Sequence, residues 1–224
     1  MPRPHEDRER HTLVDHRPGG PEVNFANGSW CAIDTAHARA ERADAMASAY
    51  ETLLERRRAS GAGAHPACVL RSVDRARVMA LVGLPGHAEF KRLGTAWNDH
   101  HLLAEHRAVA KTSSLALYRA TDVAGEVGID PACSDRYAFE WFPHAPHALG
   151  AILVPLAQAA GFRGAIHFAS DDGAAAAMLY RFEHEREFEA FRSTPAVVAV
   201  LGPMSSEEEA GLGVHVIKTF AAGL

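Results

Sequence analysis

The sequence predicts an α+β fold: two tandem βαββαβ units carried by one chain and packed sheet to sheet. Three observations predict it. At a constant offset of 98 residues, turn, helix-start and strand-end residues match across the halves: Ser72 with Ser170, Asp74 with Asp172, Leu81 with Leu179, Glu89-Phe90 with Glu187-Phe188, Thr121 with Thr219, and Ala124-Gly125 with Ala222-Gly223. Each half also shows the same succession of strand-like and helix-like hydrophobic periods. Finally, a four-stranded sheet with helices on one face leaves its other face apolar, and a second such sheet is what covers it.

Taken in order, 29–35 and 137–142 read as first strands, and helices follow over 38–59 and 146–160. In the earlier helix Met46, Tyr50, Leu53 and Leu54 recur at helical spacing, an apolar stripe that must lie on a sheet. Two closely joined strands come next. They are 67–72 and 76–84 around Val73-Asp74-Arg75, and 165–169 and 175–183 around Asp171-Asp172-Gly173, whose Asp-Gly pair tolerates positive φ. A second helix starts near His87 in one half and Glu185 in the other, with early acidic residues that suit a helix N-terminus. Last strands over 114–121 and 214–220 complete the pattern. The implied division is a flexible arm over 1–28, a first unit over 29–125, a linker over 126–136 and a second unit over 137–224.

Composition narrows the partners. A chain of 224 residues with 47% hydrophobic content buries enough surface to need no covalent staple. The net charge of -5 and scattered basic residues argue against a nucleic-acid track or a polybasic membrane patch. Cys31, Cys68 and Cys133 are odd in number and lack paired spacing, which fits a reducing cytoplasm rather than a disulfide framework. No apolar run is long enough for a membrane helix, and 1–21 has no apolar signal core, so a soluble cytoplasmic monomer or homodimer is expected. The basic residues are nearly all arginine in an alanine-rich chain, a bias that reads as genome composition and carries no functional weight.

The halves differ most in the second helix. Trp97, His101 and His106 face Pro195, Ala199 and Met204 at the repeat offset, so the polar equipment belongs to the first half. On a continuous helix Phe90, Leu93, Trp97, His101 and Ala104 share one stripe, which puts His101 on the buried face and turns His106 away. If Asn98 or Asp99 caps a new segment, the register resets and His106 turns inward. A neutral imidazole on a half-buried helix can ligate iron, and it can equally be a hydrogen-bonded core residue. His100 is expected to be solvated.

Elsewhere His167 and His215 lie on strands expected at opposite edges of the second sheet, too far apart to share a metal. His144, His147 and His184 fall at strand or loop ends. Tyr137, Phe139, Trp141 and Phe142 supply an aromatic lining, for core packing or for an aromatic ligand. Asp34 and Glu140 lie on the two first strands as candidate general bases or as salt-bridge residues. Phosphate-binding loops, nucleophile elbows and HExxH are absent from the sequence.

With this organisation the chain resembles the dimeric α+β barrel superfamily of ferredoxin-like units, which includes antibiotic-biosynthesis monooxygenases, haem-degrading monooxygenases and chlorite dismutases. Trp97, Asn98-Asp99 and Glu105-His106-Arg107 further resemble the haem-degrading monooxygenases. That resemblance implies a haem-dependent oxidoreductase acting on a small molecule of secondary metabolism, with His106 as iron ligand, Trp97 and His101 lining the pocket, and one haem per chain. The sequence departs from those enzymes in lacking their Asn on the first strand; Asn24 and Asn27 lie just ahead of it. Two rival readings are a cofactor-independent monooxygenase of the antibiotic-biosynthesis type, in which a His or carboxylate removes a proton, and a noncatalytic haem or small-molecule binding protein.

Overall fold

Strands that are apolar on both faces need two covers, and the architecture supplies them. A computed structural model of the chain describes residues 19–37, 40–61, 65–73, 77–101, 103–104, 112–142, 150–202 and 212–220. In chain order these form β1 (Trp30–His37), α1 (Ala40–Ala59), β2 (Ala67–Ser72), β3 (Arg77–Leu84), α2 (His87–Asp99), β4 (Thr112–Gly125), β5 (Arg136–Phe142), α3 (Gly150–Ala157), β6 (Phe162–Ser170), β7 (Ala176–Phe182), α4 (Glu185–Arg192), α5 (Pro195–Leu201) and β8 (Leu212–Phe220). The strands close into one antiparallel barrel in the order β1-β3-β2-β8-β5-β7-β6-β4. Among the described strands, closure leaves none with a neighbour on one side only.

Side chains alternate between the two faces of each strand. Ile33, Leu70, Leu81, Phe139, Phe168 and Leu179 point into the barrel and form its core. Ala32, Val69, Ala80 and Val82 point outward under α1 and α2, where Met46, Tyr50, Leu53, Leu93 and Trp97 cover them. Ile152, Leu156, Phe188, Phe191 and Val197 cover the corresponding face of β5–β7. This double cover explains why Val78 through Leu84 are all buried.

Cross-strand pairs show which positions of the two four-strand groups correspond. Cys68 pairs with Leu81 as Ile166 pairs with Leu179, so the β2–β3 and β6–β7 hairpins keep the 98-residue offset. In the first strands Asp34 faces Ala80 and Glu140 faces Met178, which makes these two acids equivalent. The last strands depart from the expected offset. Tyr118 and Val214 occupy equivalent places opposite Ser170 and Ser72, and each strand has an irregularity that skips one residue, Thr121 in β4 and Ile217 in β8. Thr121 therefore corresponds to Ile217 rather than Thr219, and residues 222–223 lie outside the described residues.

Other boundaries moved for local reasons. The second helix of the later group breaks into α4 and α5 at Ser193-Thr194, because Pro195 starts a helix at its first turn but cannot continue one. The turn at Asp172 is as expected: Gly173 takes φ 70, and the Asp172 carboxylate accepts hydrogen bonds from Ser170 Oγ and the Ala174 N–H, which hold its pKa down. Asp74, its expected partner, lies outside the described residues.

Residues 19–28, expected within the flexible arm over 1–28, are packed on the barrel. Residues 1–18 lie outside the described residues, but from residue 19 the chain is fastened to the barrel. Gly19 O accepts from the Thr219 N–H, and Val23 exchanges two backbone hydrogen bonds with Ile129. Gly20 sits at φ +117, where a Cβ would lie 2.2 Å from the Thr219 carbonyl oxygen. Val23 and Phe25 are 3% and 2% exposed and close one end of the barrel core, Phe25 edge-on to Phe168. The stretch before β5 is equally packed: Val127 and Ile129 are buried, and Gly128 O accepts from Tyr137 Oη and Arg181 Nη1.

Candidate functional site

The region singled out by sequence lies where α1 and α2 cross the outer face of β1–β4. α2 buries Leu93 and Trp97 against the sheet, one helical turn apart. Trp97 is 1% exposed and meets Tyr50 of α1 edge-on, with ring centroids 5.3 Å apart. Behind it, Tyr50 Oη donates to Asp34 Oδ2 at 2.8 Å, and Asp34 is fully buried in the middle of β1. Trp97, Tyr50 and Asp34 thus form one continuous stack from helix to sheet. Sequence reasoning weighed Asp34 but missed Tyr50, whose helical spacing from Met46 read simply as core.

α2 ends at Asp99, and the continuous-helix expectation fails there. His100 is extended, with φ -81 and ψ 106, and a new turn begins when the Ala104 N–H donates to His100 O at 2.9 Å. The register resets one to two residues later than the proposed caps, because the polar run Asn98-Asp99-His100-His101 offers no apolar side chain to hold the helix on the sheet. As a result His101 is exposed to solvent rather than buried beside Trp97. His100, expected to be solvated, is the imidazole that turns toward the protein, and its Nδ1 is buried with no hydrogen-bond partner among the described residues. Burial, with Arg56 and His101 nearby, lowers its pKa. His106 lies outside the described residues.

Between α1 and α2 a cleft of about 560 Å³ opens, with Leu53, Leu93 and Trp97 as its apolar wall and Arg56, Arg92 and His100 among its polar residues. That size falls within the range of about 300–1,000 Å³ usual for small-molecule pockets. Glu89 divides its two oxygens between Arg57 at 3.4 Å and Arg92 at 3.1 Å. Burial pulls the Arg57 pKa down and Glu89 partly restores it. The arginines were set aside as a compositional bias; the signal that could have found them is the run Arg56-Arg57-Arg58 in the last turn of α1.

The other half handles the equivalent places differently. A cleft of about 520 Å³ lies between α3 and α4, lined by Pro155, Glu187, Phe191 and Thr194 without a Trp or His. Glu140, the counterpart of Asp34, is locked by Arg192 Nε at 2.7 Å and by Tyr180 Oη at 2.8 Å. At the helix offset Arg192 corresponds to Gly94, whose Cβ position meets only Leu115 Cδ2 within 4 Å, and Leu115 is the cross-strand neighbour of Asp34. Where one half places an arginine, the other places a glycine.

The remaining candidates do not join this site. Asn24 and Asn27 are exposed ahead of β1. Tyr137, Phe139 and Trp141 face the barrel core, with Trp141 Nε1 donating to Tyr118 Oη, while Phe142 faces the helices. His167 and His215 lie on β6 and β8, opposite sides of the later four-strand group. His167 Nδ1 meets Thr121 Oγ1 at 2.7 Å and Asp122 Oδ2 at 3.4 Å beside the β4 irregularity. His184 caps α4, and His144 and His147 lie outside the described residues. Burial raises the Cys31 thiol pKa and pushes Cys68 up to about 12, so both stay protonated. Among the described residues no group of three or more His, Cys, Asp or Glu is placed to hold a metal ion, and no helix is long and apolar enough to cross a membrane.

No family model matches the sequence, and no curated protein matches it. Solved structures do match the fold. An anthrone oxidase-like protein superposes with a TM-score of 0.71 at 17% identity, over 91% of this chain and 98% of its own. A candidate monooxygenase from Fusobacterium nucleatum gives 0.58 at 9% identity over 89% and 98%. A chlorite dismutase variant from Candidatus Nitrospira defluvii gives 0.53 at 14% identity over 86% and 93%. The chain has the dimeric α+β barrel fold, both halves of the barrel being supplied by one polypeptide.

Proposed function

We propose that the chain is an oxidoreductase of the monooxygenase type, acting on a small molecule at the α1–α2 side of its first half. The observation that carries this reading is the cleft itself: an apolar wall ending in Trp97 and a polar rim with His100, where the α3–α4 cleft is lined by neither Trp nor His, with the Tyr50–Asp34 pair directly behind. Two versions follow, and each has its own support.

In the haem version the residues fit the group. Leu53, Leu93 and Trp97 offer an apolar face to a macrocycle, Arg56 and Arg92 offer cations to its carboxylates, and His106 would be the iron ligand with His101 on the solvent side. Bound there, haem would supply oxygen activation. The chain's own part would be to orient the ring on Trp97 and to exclude water from that face. In the cofactor-independent version, whose substrate class is taken from the name of the anthrone oxidase-like neighbour, an enolisable aromatic substrate gives up a C–H proton to a base and its carbanion reacts with O₂ in the apolar cleft. His100 and Glu89 on the cleft, and the Tyr50–Asp34 pair behind Trp97, are then the candidate acid–base groups.

One experiment separates them. Purified protein is titrated with haemin while the Soret region is followed, and oxygen uptake is measured with anthrone in the absence of haem. A Soret band saturating at one haem per chain and lost in His106→Ala supports the first version; anthrone-dependent oxygen uptake without haem supports the second. Neither signal would leave a noncatalytic binding protein as the better account. We further infer that 29–125 and 137–224 are copies of one ancestral unit, joined by 126–136. What supports this is the shared pairing register and the equivalent skipped residues Thr121 and Ile217.

A further inference from the structure

We infer that the α1–α2 cleft selects a planar ligand bearing a carboxylate, anchored by the Arg56 guanidinium and the His100 ring N–H. The inference rests on the reading of this cleft as the ligand site and adds the charge class of what enters it. Glu89 is one negative charge shared by Arg57 and Arg92, while Arg56 is in no ion pair among the described residues, so cations exceed anions even with Asp99 at the margin. A guanidinium facing a half-enclosed, apolar-walled cleft is an anchor for a carboxylate or another oxyanion.

His100 adds direction. Its Nδ1 is sealed from solvent and has no acceptor among the described residues, and a buried N–H without an acceptor is rarer than an under-used acceptor. The proton therefore sits on Nε2, which makes the accessible edge of the ring a donor. Burial, with Arg56 and His101 nearby, lowers the pKa and so favours the neutral ring near pH 7. Arg56 and His100 are close enough to interact electrostatically, and both line the cleft whose apolar wall is Leu53, Leu93 and Trp97, a combination that suits a flat apolar body bearing an acidic group. The α3–α4 cleft has no such excess. There Arg186 is matched by Glu187, which also accepts from the His184 backbone N–H.

The carboxylate could belong to an aromatic acid or to a porphyrin, and the test separates these sources. The full-length protein is titrated with anthraquinone-2-carboxylate, with neutral 2-(hydroxymethyl)anthraquinone, with haemin and with haemin dimethyl ester, and binding is read as quenching of tryptophan emission assigned through Trp97→Phe. The expected result is that at least one acid binds about tenfold or more tightly than its neutral partner, as a single charge-assisted contact would give. Arg56→Gln and His100→Phe should each remove most of that preference, while Arg56→Lys restores part of it. Preference among the anthraquinones alone identifies an aromatic acid, and preference among the haems identifies a porphyrin. Equal binding of acid and neutral probe, unaffected by Arg56→Gln, would overturn the anchor while leaving the cleft as a ligand site. If no probe quenches Trp97, the cleft is not a ligand site and the inference falls with it.

Discussion

Replacing Arg192 with Met tests whether the later half is held together by its buried ion pair. Arg192 and Glu140 are 2% and 1% exposed, their Nε–Oε1 distance is 2.7 Å, and Arg192 Nη1 also donates to Gly202 O at 3.3 Å. Met fills most of the arginine stem but leaves the Glu140 carboxylate with Tyr180 as its hydrogen-bond donor, in a core of Phe182, Phe188 and Phe191. Removing one partner of a buried pair costs about 3–5 kcal/mol, because the remaining charge is neither hydrated nor neutralised. Removing both charges with Glu140→Gln and Arg192→Met should cost far less, about 1–2 kcal/mol, since the glutamine carbonyl still accepts from Tyr180 and only the arginine contacts are lost. The assay is urea unfolding at pH 7 followed by circular dichroism, with the slope checked for constancy so that the midpoints report stability. The single variant should therefore unfold well before the double variant. If Arg192→Met costs less than about 1 kcal/mol, or if the single effects of the two substitutions simply add within about 0.5 kcal/mol, the pair is not the electrostatic unit argued for.

Three further outcomes are expected. Phe25→Ala should destabilise by about 3–5 kcal/mol in the same urea assay, because it empties the barrel end against Phe168, whereas deletion of residues 1–18 should shift the midpoint little. Gly20→Ala should cost more than about 1 kcal/mol by thermal or urea unfolding, since the new Cβ meets the Thr219 carbonyl at a positive φ. Burial lowers the His167 pKa, with Asp122 opposing, so the unfolded chain binds the extra proton. His167 therefore contributes stability above its unfolded pKa, and that contribution is lost as pH falls through the lowered folded value. Urea midpoints of wild type and His167→Gln compared between pH 7.5 and pH 5 should show a shallower fall in the variant, and identical slopes would contradict this.

Most of the fold was legible because its signals are local and periodic. The β2–β3 hairpin, the start of α2 at His87 and the start of α4 at Glu185 coincide with the readings from alternation, turn residues and early acids. What was not legible depended on partners distant in sequence. Val23 and Phe25 are only two alternating apolar residues between prolines and polar residues, too short to read as packed until Phe168 and Ile129 are in place. The last-strand offset failed because the match of Thr121 with Thr219 counts identities, whereas Tyr118 and Val214 correspond through what they pair with. On α2, the burial of Trp97 was legible from its place on the helical stripe. His100 was missed because a single extended residue rotates everything after it, and helical spacing cannot announce that break.

Ring closure has a consequence for how the chain is made. β1 to β4 are complete once residue 125 has been synthesised, yet the inward face carrying Ile33, Leu70 and Leu81 has nothing to pack on until β5 to β7 follow. The free flank of β2 waits longer still, for the final strand, whose Phe220 pairs with Ala67. At about 5–20 residues per second, the nascent first half presents an apolar sheet and an open strand flank for roughly 5–20 seconds. Ribosome-bound intermediates of this chain should therefore be captured by holdase chaperones most strongly between completion of β4 and emergence of β8, and a stop codon just before residue 212 should trap the product in that sticky state.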